Sequence, residues 1–210
     1  LVERGHEAVI AAAEDYRDAV EAAGVEVSAV RPSIAELGDY QTLVTKLFDV
    51  RHGPEYLMRH LVMPHLKSAY EDLWQASDGA DLLVSHPLAV TLPLIAQRRE
   101  LPWVSTVLSP VSFMSSFDPP VIAAAPWLQK LRNFGPAPYR LLFSLFKRGV
   151  RRWEAPLRSF RDELGFPPSK QMAMFEGQFS SLRNLALFDP RLAKPQPDWP
   201  ANTRICGSPI

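Results

Sequence analysis

Two polar turns that follow apolar strands are the places where this chain could do chemistry. The run Asp81-Leu82-Leu83-Val84 predicts a buried strand that ends in Ser85-His86-Pro87, and the next predicted strand, residues 103–107, ends in Leu108-Ser109-Pro110. Open α/β sheets bind ligands at the carboxyl ends of neighbouring parallel strands. We therefore expect His86, Pro87, Ser109 and Pro110 to line one crevice.

His86 is the candidate for acid–base chemistry. A turn between a strand and a helix can point imidazole at a bound hydroxyl, and a pKa near neutrality suits proton transfer. The alternative is a partly buried histidine bonded to a loop carbonyl. His6 is interpreted as a surface residue at the edge of a strand, and His52, His60 and His65 as solvated or capping residues. His60 and His65 are five residues apart, a spacing that disfavours a shared metal on one helical face.

The remaining motifs limit the classes of site. The sequence has no G-x-S-x-G turn, so Ser109 is interpreted as a ligand-binding or helix-capping serine and not as a nucleophile. It has neither a G-x-G-x-x-G nor a G-x-x-x-x-G-K-[ST] motif, so neither kind of phosphate cradle is expected. Phe113, Phe117 and Trp127 could wall a pocket for an apolar ligand, or they could pack in the core.

Composition bounds the architecture. The chain has 210 residues, 47% of them hydrophobic, which favours one domain over residues 1–210. The 23 basic and 23 acidic residues cancel, so no overall field favours nucleic acid. The single cysteine excludes an internal disulfide and agrees with a reducing compartment. No apolar run reaches the roughly 18 residues that a membrane span needs.

Charge is concentrated in residues 128–161. There the sequence has a single acid, Glu154, against nine basic residues: Lys130, Arg132, Arg140, Lys147, Arg148, Arg151, Arg152, Arg158 and Arg161. Aromatic residues lie between these cations, a composition typical of a helix on an anionic membrane. The alternative is a solvated face whose apolar side packs on the domain.

Two predicted βαβ units dominate the chain. Residues 8–13, 15–23 and 25–30 read as strand, helix and strand, and residues 81–85, 87–99 and 103–107 repeat that order. The opening residues 1–7 are typical of a helix end running into a strand, so we expect an internal piece of a longer protein. The pattern predicts an α/β fold, a Rossmann-like open, mostly parallel sheet with helices on both faces.

The other segments are expected to cover this sheet. Residues 56–76 predict one long amphipathic helix, kinked near Pro64, and residues 138–164 predict helix divided at Pro156. The proline-rich stretch 109–136 is expected to be irregular and exposed. Two further short strands are predicted at residues 185–188 and 203–206.

The stretch DLLVSHPLAVTLPLIAQRRELPWVSTVLSPVSFM, residues 81–114, resembles the N-terminal domain of GT-B glycosyltransferases, in the bacterial branch that includes macrolide and sterol glycosyltransferases. Further motifs fit the same frame: Arg4-Gly5-His6-Glu7, Asp118-Pro119-Pro120, Ala125-Pro126-Trp127-Leu128, Phe188-Asp189-Pro190 and Cys206-Gly207-Ser208-Pro209. The resemblance implies the N-terminal half of a GT-B fold with its first strand missing, so residues 1–210 would be a single acceptor-binding domain.

The resemblance implies inverting transfer of a sugar from a nucleotide-sugar, such as a UDP-sugar, to a hydroxyl of a small apolar acceptor. It implies no metal and no cofactor, a donor held mainly by a C-terminal domain that is absent, and a general base before Leu1. Many relatives have an aspartate where this chain has Ser85-His86-Pro87. His86 is the tentative catalytic residue, and the fragment alone is expected to be inactive. The acceptor side would be lined by His86, Pro87, Ser109, Pro110, Phe113 and Asp118.

Two other hypotheses remain open at this stage. One is a non-catalytic module that binds a lipid or polyketide in the same crevice, and the other is a different GT-B enzyme, such as a nucleotide-sugar epimerase. The expected location is cytoplasmic, with peripheral contact at the inner membrane face through residues 128–161 as a further hypothesis.

Overall fold

The computed structural model of the protein describes residues 1–122 and 125–208, and the chain forms two compact units, Leu1–Ala80 and Asp81–Ile210. Pro209, which closes one of the motifs quoted above, lies outside the described residues. The expectation of a single domain over residues 1–210 stays a prediction.

The first unit begins with a parallel βαβ arrangement. Strand β1 (Val9–Ala12) pairs in parallel with β2 (Glu26–Ala29), with Val9 opposite Glu26, and α1 (Arg17–Ala22) connects them. Gly5 ends a short 3₁₀ turn at φ 81°, a left-handed conformation that glycine adopts without steric cost. The first predicted βαβ unit is therefore confirmed.

The helical part of the first unit is more broken than the sequence predicts. Helices α2 (Tyr40–Leu47) and α3 (Gly53–Tyr56) are followed by a π-helical segment, Leu57–Val62, and a 3₁₀ turn, Met63–His65. Regular helix resumes only in α4 (Leu66–Ala76). The prediction of one regular helix over residues 56–76 is therefore corrected, although the irregularity lies next to Pro64, where a kink was predicted. Pro64 lacks an N–H, and the backbone changes its hydrogen-bonding pattern before it.

Helix α4 packs against both strands of the first unit. Its buried face consists of Leu66, Tyr70 and Leu73. Asp72 of α4 accepts hydrogen bonds from Arg31, which follows β2: 2.9 Å from the backbone N and from Nε to Oδ2, and 2.7 Å from Nη2 to Oδ1. This bidentate pair fixes the end of β2 against the helix.

The second unit contains a four-stranded parallel sheet in the order β3-β4-β5-β6. The strands are β3 (Leu83–Ser85), β4 (Trp103–Val107), β5 (Arg183–Ala186) and β6 (Thr203–Ile205). The mostly parallel α/β class predicted from the sequence is confirmed. Burial alternates along β3, where Leu83 and Ser85 are buried and Val84 is 54% exposed, so the expectation of a fully buried strand there is corrected.

Helix α5 (Leu92–Arg99) begins five residues later than predicted. Residues 87–90 form a turn instead, and Pro93 lies in the first helical turn, where the absence of an N–H costs no hydrogen bond. Because α5 starts late, a loop lies between the end of β3 at Ser85 and the start of α5 at Leu92, and this loop carries His86.

The stretch 109–136 is partly ordered and partly buried, which corrects the expectation of an exposed loop. It contains two 3₁₀ segments, Pro110–Phe113 and Pro126–Phe134, and both Ser115 and Ser116 are buried. Two helices then follow: α6 (Ala137–Val150) and α7 (Ala155–Glu163). Pro156 lies in the first turn of α7, so the predicted division of this region is confirmed.

An aromatic cluster forms one core of the second unit. The rings of Phe113 and Trp199 stack with centroids 4.1 Å apart, and Phe188 meets the Trp199 ring edge-on at 6.2 Å. Val107 and Ala186, from adjacent strands, complete the floor of this cluster. The packing holds the loop after β4 against the sheet.

A buried polar network fixes the register of β4 and β5. Asn184 accepts a short hydrogen bond from the Ser105 hydroxyl and a 2.9 Å bond from the Ser180 backbone N, and its Nδ2 donates to the Ser180 carbonyl at 3.0 Å. Because every polar group of the Asn184 side chain has a partner, its complete burial is tolerated.

Candidate functional site

The candidate site lies at the carboxyl ends of β3 and β4. In the parallel register Ser85 is opposite Ser105, and the Thr106 hydroxyl donates to the Ser85 carbonyl at 2.9 Å. His86 comes directly after β3, and Ser109 comes two residues after β4. The structure thus brings the two predicted turns to the same edge of the sheet.

His86 is held in one tautomer by its own turn. The backbone N of Leu88 donates to the His86 Nδ1 at 3.1 Å, while the His86 carbonyl accepts from the Ser85 hydroxyl and from the Ala89 backbone N. Since the Nδ1 lone pair is occupied, the neutral ring carries its proton on Nε2. Desolvation by the surrounding protein lowers the pKa of His86, although the residue itself is exposed. The ring is therefore a neutral Nε2–H donor at pH 7.

Exposed apolar side chains lie in the two turns at this edge. Leu88, Leu108 and Val111 belong to the turns after β3 and β4, and they are 42%, 50% and 51% exposed. Pro87, Ser109 and Pro110 lie between them and are half-buried. Ser109 precedes the 3₁₀ segment without a side-chain capping bond. The edge therefore offers an apolar surface with a hydrogen-bond donor.

Phe113 lies in the core instead of at a pocket wall. Its ring is 8% exposed and is stacked on Trp199 and Phe179. Of the two alternatives given for the three aromatic residues, Phe113 therefore follows the one in which the ring packs in the core. Phe117 and Trp127 differ from it, because they are 41% and 64% exposed. Phe113 therefore packs the 3₁₀ segment that follows Ser109 onto the aromatic cluster, and its predicted place in the acceptor lining stays a prediction.

Asp118 lies on the exposed part of the same loop. Its carboxylate is 3.3 Å from the Arg132 guanidinium, which also donates to the Pro119 carbonyl at 2.5 Å. The neighbouring Phe117 ring lies under the guanidinium of Arg140, at 5.2 Å. Two arginines from the following helical segments therefore hold this part of the loop, and Asp118 remains accessible.

Asp198 is a positioning residue that the sequence analysis missed. Its carboxylate accepts hydrogen bonds from the Ser115 hydroxyl at 2.6 Å, and from the Ser116 backbone N and hydroxyl at 2.7 and 2.8 Å. Burial alone would raise the pKa of Asp198, but these hydrogen bonds outweigh it and lower that pKa. No local signal could reveal a partner more than 80 residues away.

A cavity of about 670 Å³ lies elsewhere in the second unit, between α5, α7 and the segment before β5. It is lined by Trp103, the first residue of β4, and by none of the six predicted acceptor residues. Glu154 contributes a buried carboxylate there, whose pKa is raised by burial although the Met174 and Ala173 backbone N–H groups donate to it. The cavity is therefore distinct from the edge that carries His86.

Within residues 1–122 and 125–208, no three or more His, Cys, Asp or Glu side chains are grouped as metal ligands would be. Over the same ranges, no helix has both the length and the apolar character that crossing a membrane requires.

Comparison with known proteins finds sequence similarity to a glycosyltransferase. The chain is 27% identical over 212 aligned residues to O-mycaminosyltylonolide 6-deoxyallosyltransferase of Streptomyces fradiae. The alignment covers 97% of this chain and 48% of the relative, so the chain spans about half the length of that enzyme. No family model matches the chain.

Solved structures with the same fold are glycosyltransferases as well. SsfS6, a glycosyltransferase of Streptomyces sp. SF2575, superposes with a TM-score of 0.51 and 16% identity, over 95% of this chain and 46% of that one. The calicheamicin glycosyltransferase CalG4 gives 0.50 and 14%, over 99% and 47%. The chain therefore has the fold of about half of a GT-B glycosyltransferase, and the resemblance to bacterial macrolide-type glycosyltransferases inferred from its sequence is confirmed.

Proposed function

We propose that this chain is the acceptor-binding part of an enzyme that transfers a sugar from a nucleotide-sugar to a hydroxyl of a small apolar acceptor. The observation that carries the proposal is the similarity to a macrolide glycosyltransferase along 97% of the chain. Since the chain spans about half of that relative, the donor is expected to be bound mainly by a further domain. The transfer is expected to invert the anomeric centre and to need no metal.

The carboxyl edge of β3 and β4 is the proposed acceptor site. Leu88, Leu108 and Val111 expose apolar surface there, which favours an acceptor with an apolar skeleton. Asp118, on the accessible part of the following loop, offers a carboxylate to a polar substituent of the acceptor. Asp198 acts indirectly, because it orders the loop through Ser115 and Ser116.

His86 is proposed to orient the acceptor as a hydrogen-bond donor. Its Nδ1 is occupied by the Leu88 amide, so Nε2–H is the group that a ligand oxygen could meet. To act as a base, the ring would first have to give up that bond. Hydrogen-bond donation by His86 therefore requires less rearrangement of the turn than its tentative role as a catalytic base. That catalytic role stays a prediction.

The experiment uses the full-length protein that carries this chain and a nucleotide-sugar labelled in the sugar. Incubation with a panel of hydroxylated apolar compounds, followed by separation of the products, shows where the label goes. The proposal predicts label on a second molecule only when an acceptor is present. A cleaved donor without such a product would contradict acceptor transfer.

The same experiment separates the two other hypotheses. An epimerase would leave the label on a nucleotide-sugar of altered stereochemistry and would need no second substrate. A binding module would consume no donor, although calorimetry would still show that it binds the apolar compound. Either result would contradict the proposed function.

A further inference from the structure

Residues 127–152 form a segment whose charged side chains all have the same sign. They contain no aspartate or glutamate and seven basic residues: Lys130, Arg132, Arg140, Lys147, Arg148, Arg151 and Arg152. Two of these cations are paired with acids from outside the segment, Arg132 with Asp118 and Lys147 with Glu176. The nearest acid that follows in sequence, Glu154, is buried and 2% exposed. The segment therefore presents positive charge to solvent.

Large apolar side chains are exposed among these cations. Trp127 is 64% and Phe134 is 74% exposed, both on the 3₁₀ segment Pro126–Phe134, while Leu141 is 63% and Leu145 is 59% exposed on α6. The 3₁₀ segment contacts α6, since the Tyr139 hydroxyl donates to the Leu128 carbonyl at 2.7 Å. The segment thus shows its apolar residues to solvent from two packed elements.

Helix α6 carries apolar residues on its outer face as well as on its inner face. Tyr139, Phe143 and Val150 are buried on the inner face. On the outer face, the spacing of four and three residues brings Leu141, Leu145 and Arg148 together. The inner face packs in the unit, whereas the outer leucines leave most of their surface in solvent.

We propose that the segment formed by residues 127–152 docks on an anionic lipid bilayer. Apolar side chains that enter the acyl boundary, with arginine and lysine at the level of the head groups, are the pattern by which amphipathic helices lie in a membrane interface. Charge complementarity selects the occupant, because basic residues with no acid among them attract a negative surface. This inference does not rest on the proposed transfer reaction.

The test is sedimentation of the full-length protein with two kinds of vesicle at low salt. Vesicles of phosphatidylcholine with about 30% phosphatidylglycerol should carry the protein down, whereas pure phosphatidylcholine should bind it weakly, because the cations need anionic lipid. Binding should fall steeply at about 0.5 M salt, where the Debye length is only a few ångströms.

Two variants and a matched control locate the contact. Leu141→Ser/Leu145→Ser should lower the partition coefficient about tenfold through lost apolar burial, and Arg148→Glu/Arg152→Glu should lower it by a similar factor or more. Leu182→Ser/Leu192→Ser changes two leucines that are equally exposed outside the segment and should leave binding unchanged. Circular dichroism checks that all variants are folded.

Three results would overturn the inference. The first is a protein that stays in the supernatant with anionic vesicles at low salt. The second is binding that neither segment variant reduces. The third is equal binding to neutral vesicles, which would show that charge complementarity does not select the surface. All three leave the transfer reaction untouched, so the two proposals fail separately.

Discussion

At the scale of single residues, the hydrogen bond from the Leu88 amide to His86 Nδ1 decides what the imidazole can do. It assigns the proton of the neutral ring to Nε2, and desolvation keeps the ring neutral by lowering its pKa. His86 could be identified from the sequence because it directly follows a predicted strand. Its protonation state could not, because that depends on the turn that the later start of α5 creates.

His86 should titrate below its ordinary value of 6.5 in the folded protein. Because the folded state then binds fewer protons than the unfolded chain, the contribution of His86 to stability is complete above pH 6.5. It is lost as the pH falls from there through the folded pKa. An NMR titration of the His86 ring protons measures the folded value, and the same resonance in urea gives the reference. A folded pKa at or above 6.5 would contradict this description of the ring.

Asp198→Asn should destabilise the protein by about 1 to 2 kcal/mol. The amide oxygen can accept fewer of the bonds from the buried Ser115 and Ser116, but Asp198 itself is exposed, so solvent limits the loss. Since its folded pKa is lowered, the carboxylate contributes above pH 3.8 and loses its effect as the pH falls through the folded value. Urea unfolding at pH 7 and pH 3 measures both effects.

Asp189→Asn is the matched control for that substitution. Asp189 pairs with Arg191 at 2.7 Å, but Arg191 is almost fully exposed, and solvent screens such surface pairs so that they add little to stability. An Asp198 variant no less stable than this control would show that the loop after β4 does not depend on the carboxylate.

At the scale of elements, two glycines differ in whether the structure has room for a side chain. A Cβ at Gly53, in the first turn of α3, would lie 2.2 Å from the Leu47 carbonyl oxygen, whereas a Cβ at Gly149 of α6 would meet nothing within 4 Å. Gly53→Ala should therefore cost about 1 to 3 kcal/mol. Gly149→Ala should add up to about 1 kcal/mol, because alanine is the better helix former. Denaturant midpoints of the two variants check both signs, and a loss of stability in Gly149→Ala would contradict the helical packing described for α6.

Elements were predictable where local pattern alone determines them. Strand β4 and the division of the helical region at Pro156 could be placed from hydrophobic runs and proline. The long helix over residues 56–76 could not, because apolar spacing does not show the change of backbone hydrogen bonding before Pro64. Phe113 was ambiguous for a related reason, since the rings that bury it come from Phe179 and Trp199.

At the scale of the whole molecule, the chain has the sheets and helices of half a GT-B glycosyltransferase in two compact units. Transfer between two substrates needs one site for each, and only an acceptor site is proposed in the described residues. The carboxyl edge of β3 and β4 carries both a hydrogen-bond donor, the His86 Nε2–H, and exposed apolar side chains. The central claim is that this edge binds the acceptor and not the nucleotide-sugar.

The most direct measurement of that claim is the steady-state kinetics of His86→Ala in the full-length protein, with each substrate varied in turn. Loss of an oriented hydrogen bond to the acceptor should lower kcat/KM for the acceptor by about 10- to 100-fold, the range of a 1.4 to 2.7 kcal/mol contact. The KM for the nucleotide-sugar should stay within about twofold of the wild-type value. Unchanged acceptor kinetics, or a large rise confined to the KM of the nucleotide-sugar, would contradict the assignment of this edge to the acceptor.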